Sequence, residues 1–149
     1  MVFSIEELDS RRAMLDERHG PWRPVTVSGA LDRVVATHPD RPFVIGEHTS
    51  FSYRELAEFS TRLARGLVAR GIEAGDRVAI VLPNGPEAVA VRFAVARAGA
   101  VAVPISFQLR ARELAYVLEQ SRSVALITME AFRGIDALDA LDRIAPGWE

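Results

Sequence analysis

Two residue types are missing from the 149-residue chain: it has no cysteine and no lysine. Without cysteine there is no disulfide framework and no thiolate metal site. That fits a reducing compartment. Without lysine, all 18 basic residues are arginine. Any phosphate loop or carboxylate clamp that needs an ammonium group is therefore excluded. Strong charge of either sign is missing too. A net charge of -2 gives no electrostatic basis for binding nucleic acid or an anionic membrane. There is no long apolar run. The best tract, Ala88 to Ile105, is broken by Arg92, Arg97, Gly99 and Pro104, which argues against a transmembrane segment. Residues 1–20 carry Glu6, Glu7, Asp9, Arg11, Arg12, Asp16 and Glu17 and no apolar centre, so no signal peptide is read. The expectation is a soluble, cytoplasmic protein.

What is present reads as one globular unit, with 49% hydrophobic and 26% charged residues. Ser4-Ile5-Glu6-Glu7 has the form of a capping box, and the charged helix it opens can end at Gly20. Pro21 to Pro24 form a stiff connector, so residues 1–24 read as peripheral. A helix is expected over Ser28–Thr37, with Leu31, Val34 and Val35 on one side. Phe43–Ile45 and Thr49–Phe51 read as a β-hairpin around a three-residue loop, Gly46 to His48.

Ser52-Tyr53-Arg54-Glu55 is a second capping box. It opens a helix to Arg70 whose apolar stripe is Leu56, Phe59, Leu63 and Leu67. Glu58 and Arg62 are spaced as an i,i+4 ion pair, and Gly71 sits where a left-handed C-cap belongs. Arg77–Leu82 is a continuous apolar run, as for a strand covered on both faces. Asn84 is placed to cap the next helix, with Pro86 in its first turn and Glu87 at its positive end. Val89, Val91, Phe93 and Val95 fall on several faces of that helix, which predicts deep burial. Gly99 ends it. Val101–Val103 is the next strand, Leu109–Gln120 a helix, Val124–Thr128 a third strand and Ile135–Ile144 a final helix. Alternation at this spacing predicts an α/β fold: parallel βαβ units with covering helices, plus the N-terminal hairpin.

Few residues suggest chemistry. The turn Pro83-Asn84-Gly85-Pro86 joins a strand to a helix, where an anion can bind helix N–H groups. It has one glycine and no lysine, serine or threonine, so a plain structural turn is the better reading. His19, His38 and His48 are too far apart for a metal site. Asp136, Asp139 and Asp142 lack the loop pattern of a calcium site and read as a solvated helix face. Ser106, Ser121 and Ser123 have neither a histidine nearby nor a nucleophile elbow. Arg110 and Arg112 open a helix, where a cation is unfavourable. An ion pair or an anionic ligand would explain them.

A resemblance covers about half of the chain. Phe51-Ser52-Tyr53-Arg54-Glu55-Leu56, then Leu63-Ala64-Arg65-Gly66-Leu67 through Gly71-Ile72, and then Gly75-Asp76-Arg77-Val78 stand in order. Ala98-Gly99-Ala100-Val101-Ala102-Val103-Pro104 and Glu113-Leu114-Ala115-Tyr116-Val117-Leu118 follow. Together they resemble the early core motifs of adenylate-forming enzymes, the acyl-CoA synthetase and fatty-acid–CoA ligase group. The resemblance implies the N-terminal part of a large AMP-binding domain, with residues 1–149 as a single partial domain.

It also implies ATP, magnesium and coenzyme A as cofactors of a full-length parent. That parent would adenylate a carboxylate and then form a thioester. The family's phosphate loop, magnesium glutamate, ribose aspartate and C-terminal lysine have no counterpart here. No catalytic, cofactor-binding or metal residue is therefore assigned, and the chain alone is expected to be inactive. The expected partners are a C-terminal remainder of the parent and, through an exposed apolar edge, further copies of the chain. The alternative is a self-contained, non-catalytic binding or assembly module, which would stay monomeric or form a closed oligomer.

Overall fold

The computed structural model describes residues 4–20, 23–47 and 49–147. In chain order these form α1 (Ile5–His19), α2 (Val27–Thr37), β1 (Pro42–Ile45), β2 (Ser50–Ser52) and α3 (Tyr53–Ala69). There follow β3 (Arg77–Val81), α4 (Pro86–Arg97), β4 (Val101–Pro104), α5 (Ala111–Ser121) and β5 (Ala125–Thr128). The short hairpin β6 (Ala131–Phe132) and β7 (Ile135–Asp136) leads into α6 (Ala137–Ile144).

The expected parallel sheet is present, and its order is β4-β3-β5. In register, Val78 faces Ala102 on one side and Ala125 on the other. Alternating residues of β3 feed two cores. Val78 and Ile80 meet Val91 and Val95 of α4 with Leu63 and Leu67 of α3. Ala79 and Val81 meet Leu114, Val117 and Leu118 of α5 with Ile144 of α6. A third cluster joins Leu31 of α2, Leu56 of α3 and Ala90 of α4 to Val44 and Phe51 of the hairpin. There Phe43 stacks on Tyr53 at 4.4 Å and Phe51 on Phe59 at 5.6 Å between ring centroids.

The helix ends follow local chemistry. Both capping boxes form: Ser4 and Ser52 accept from the N–H of Glu7 and Glu55, whose carboxylates accept in return from the Ser N–H and hydroxyl. These bonds hold the Glu7 and Glu55 carboxyls below the ordinary 4.5, the backbone N–H bond being the larger cause. At the other end of α3, Gly71 takes φ +87°. Its N–H reaches Val68 O, and that of Ile72 reaches Leu67 O, a Schellman closure.

Several expectations are corrected. α2 starts one residue early because Thr26, not Ser28, accepts the Gly29 N–H at 3.0 Å. Asn84 does not cap α4. Gly85 occupies that position with no side-chain bond, and Pro86, which has no N–H, removes one of the donors to be capped. Ile135 and Asp136 are strand, not helix. Arg133 and Gly134 take φ +48° and +80°, the two positive values of a tight hairpin turn, and Asp136 then caps α6. Glu58 and Arg62 form no ion pair. The Arg62 guanidinium lies 5.5 Å from the Phe59 ring centre instead. Pro21 and Trp22 of the expected connector and His48 of the expected hairpin loop lie outside the described residues.

α2 is fastened by a polar contact. Arg97, at the end of α4, donates through Nε to the fully buried Ser60 Oγ at 3.2 Å, and through both terminal nitrogens to the Asp32 carboxylate. The Arg97 side chain is 16% exposed and that of Asp32 54%, so the pair is only partly screened. Asp32→Ala leaves a mostly buried guanidinium without its carboxylate. It should lower stability by about 1–2 kcal/mol, read from the urea midpoint, with faster amide exchange confined to Val27–Thr37. The caps give a pH prediction. A depressed carboxyl pKa adds stability above the unfolded value near 4.5, and that stability is lost as pH falls through the folded value. Glu55→Gln should therefore be less stable than wild type at pH 7, with the gap closing as pH falls below 4.5 in paired denaturation curves.

Candidate functional site

The strand-to-helix turn after β3 is the position where a parallel sheet most readily binds a ligand. Pro83, Asn84 and Gly85 border a cleft of about 360 Å³ there. The β1–β2 turn forms its other wall. Gly46 makes that approach possible, because a Cβ on it would lie 2.6 Å from Thr49 O and 2.9 Å from Pro86 Cγ. Met129 and Phe132 close the far side.

The chemistry of this cleft is not that of an anion site. Glu47 and Glu87 line it, and among the described residues no cation does. Glu87 already sits in the first turn of α4, where its carboxylate complements the helix dipole and repels an incoming phosphate.

The other candidates fall apart in space. His19 is exposed at the end of α1, and exposed His38 contacts Thr37 Oγ1 through Nδ1 at 2.8 Å. Asp136 accepts the Asp139 N–H at 2.9 Å, and Asp139 pairs with Arg143. Two of the three aspartates thus serve the helix they sit on, a more specific role than a solvated face. No group of three potential metal ligands is found among the described residues. Ser121 and Ser123 hydroxyls bond each other at 2.7 Å, and Ser106 accepts from Gln108 N–H. Arg110 opens α5 with its N–H bonded to the Glu113 carboxylate at 2.9 Å. The ion pair expected of Arg110 or Arg112 is absent among the described residues.

A larger hollow, about 700 Å³, runs along the outer side of β5. Leu63 and Leu67 of α3, Val91 of α4 and Leu138 of α6 give it an apolar floor, and Arg70 and Glu130 also line it. The place of this groove beside β5 and the Asp32–Arg97–Ser60 contact were not anticipated. The first depends on strand order, and the second joins residues up to 65 positions apart. No described helix is long and apolar enough to cross a membrane.

Comparison with known proteins places this architecture. Feruloyl-CoA synthase of Amycolatopsis is 43% identical over 93 residues, which is 62% of this chain and 19% of that protein. The 2,3-dihydroxybenzoate-AMP ligase of Bacillus subtilis is 35% identical over 119 residues, or 80% of this chain and 22% of the relative. The N-terminal domain of FACL13 from Mycobacterium tuberculosis superposes with a TM-score of 0.73 at 28% identity, covering 83% of this chain and 30% of that one. The chain thus spans about a fifth to a quarter of the length of such relatives. The sequence profile described as AMP-binding enzyme matches residues 31–147. With its parallel α/β core in common with N-terminal domains of adenylate-forming enzymes, the chain belongs to the AMP-binding enzyme family.

Proposed function

We propose that the chain supplies the N-terminal α/β portion of an acyl-CoA synthetase-type ligase and does not itself carry out adenylation. One observation carries this reading: a family match over residues 31–147 in a chain that spans 22% to 24% of its first relatives. Residues 1–149 are then one partial domain, with 1–24 at its periphery. The remainder of the parent is the partner, and the setting is cytoplasmic.

In the parent, a carboxylate attacks ATP, releasing pyrophosphate and leaving an acyl-adenylate. The thiol of coenzyme A then displaces AMP. Magnesium belongs to the first step. Two relatives are named for aromatic acids, which supports a carboxylic acid as the parent's substrate class. The residues in hand do not fit a triphosphate. Among the described residues the strand-end cleft offers Glu47 and Glu87 and no cation, so no step is derived through ATP in this chain. Its contribution is the scaffold on which a reacting site would be mounted.

A second reading, a self-contained binding or assembly module, draws on the completeness of the packing: β3 is covered on both faces within the chain. Pyrophosphate exchange tests both. The purified 149-residue chain, with ATP, magnesium and a panel of fatty and aromatic acids, should give no exchange above blank. Mixed with a co-expressed remainder of a related ligase, it should restore exchange. Acyl-adenylate formed by the chain alone would overturn the proposal, and failure to restore it would favour the module.

A further inference from the structure

We propose that the hollow bounded by α2, α3 and α4 is a binding site for a small organic monocarboxylate, a compact apolar body carrying one carboxylate group. The inference goes beyond the proposed function and does not rest on it. It starts from packing. The three helices contact one another in pairs. Between the start of α2, the second half of α3 and the end of α4 they leave a hollow of about 510 Å³. Ser28 enters it from α2, Thr61, Arg65 and Val68 from α3, and Arg97 from α4. A concave, partly apolar surface on which a few polar groups converge is what a small ligand needs.

The charged groups have one sign. Two guanidiniums line the hollow and, among the described residues, no carboxylate does. The exposed Arg65 side chain makes no ion pair or hydrogen bond among the described residues, so its five donors are open to a ligand. Arg97 is held differently. Asp32 and Ser60 fix its side chain, yet each terminal nitrogen spends one N–H on Asp32 and keeps a second. A guanidinium fixed in this way loses little freedom when it takes a further acceptor. Ser28 adds a hydroxyl in the first turn of α2, at the positive end of the helix dipole. Asp32 and Glu58 line the adjoining hollow, and Glu58 forms no ion pair with Arg65.

Charge and floor together select the ligand. Asp32 balances Arg97, so the uncompensated charge in the hollow is that of Arg65 alone. One positive charge suits a monoanion better than a phosphate dianion. The floor is apolar: Ala64 is buried, and Val68 is 55% exposed. A bare inorganic anion leaves that surface in water. A carboxylate on an aromatic or short aliphatic body covers it, while its two oxygens accept from the guanidinium fork. Small-ligand pockets span roughly 300–1,000 Å³, and this hollow lies at the lower end, which sets the body at about one ring.

An amide NMR titration of the isotope-labelled chain with sodium benzoate, at constant ionic strength, tests this. Saturable shifts in the millimolar range should appear at Ser28, Thr61, Arg65, Val68 and Ala98, all on the hollow. Benzyl alcohol has a similar body without the charge, and inorganic phosphate the charge without the body. Each should bind at least about tenfold more weakly. Arg65→Gln should weaken benzoate about tenfold with the rest of the spectrum unchanged. Val68→Asp, which sets a carboxylate on the floor, should abolish binding. Shifts that never saturate, shifts centred away from the hollow, phosphate or benzyl alcohol binding as tightly as benzoate, or an Arg65→Gln chain that binds like wild type would overturn the proposal. The titration contains no ATP, so none of these outcomes alters the pyrophosphate-exchange result and the two readings fail separately.

Discussion

The whole arrangement depends on the burial of β3. Four consecutive residues, Val78 to Val81, are each less than 5% exposed. A strand apolar on both faces is stable only if something covers each face and something pairs with each edge. α3 and α4 meet the first demand on the Val78 and Ile80 side, and α5 and α6 on the Ala79 and Val81 side. β4 and β5 meet the second. Each of these elements sits where it does because β3 cannot tolerate water. The hairpin and α2 are a further layer packed on α3 and α4.

That constraint was legible in the sequence because it is local. An unbroken run of Val, Ala and Ile with no alternation has one reading once flanked by helical stripes. The capping boxes were legible for the same reason. Serine and glutamate three apart carry their partners with them, and both boxes form as read. Gly71 and Gly99 were also readable as helix ends. What could not be read depends on competition or distance. Asn84 looks like a cap until the chain places Gly85 there instead. Arg133-Gly134 was missed because the following Ile135 and Leu138 fit a helical stripe equally well. Glu58 and Arg62 have the spacing of a pair, but a neighbouring ring offers Arg62 an alternative. Strand order needs to know which way each crossover runs, and no single window of sequence contains that.

Family membership and chemistry were legible to different degrees, for a physical reason. The motifs that carry the resemblance are caps, helix ends and core strand positions. Their spacing is set by backbone geometry, so they identify a framework well. Chemistry depends on charged groups converging in a cleft. The cleft at the end of β3 brings two glutamates together with glycine, proline and Phe132. Identity of fold and identity of reaction are separate questions here, and only the first is answered by where the apolar residues fall.

The two glycine helix ends have a kinetic consequence. α3 and α4 finish with the same closure, and the turns that follow are tied together, Gly75 N–H to Gly99 O at 2.9 Å. A Cβ on Gly99 would come within 3.1 Å of Ala74 Cβ, so the turns touch with little slack. The contact spans a short stretch of chain, and short loops close with the least entropy. The segment from Gly75 to Pro104 thus has the features of an early folding nucleus, in which the tied turns align β3 with β4. β5, which must cross over that unit to reach the far side of β3, is then the last strand to join, and mutational φ values should be high at Val95 and low at Ile127.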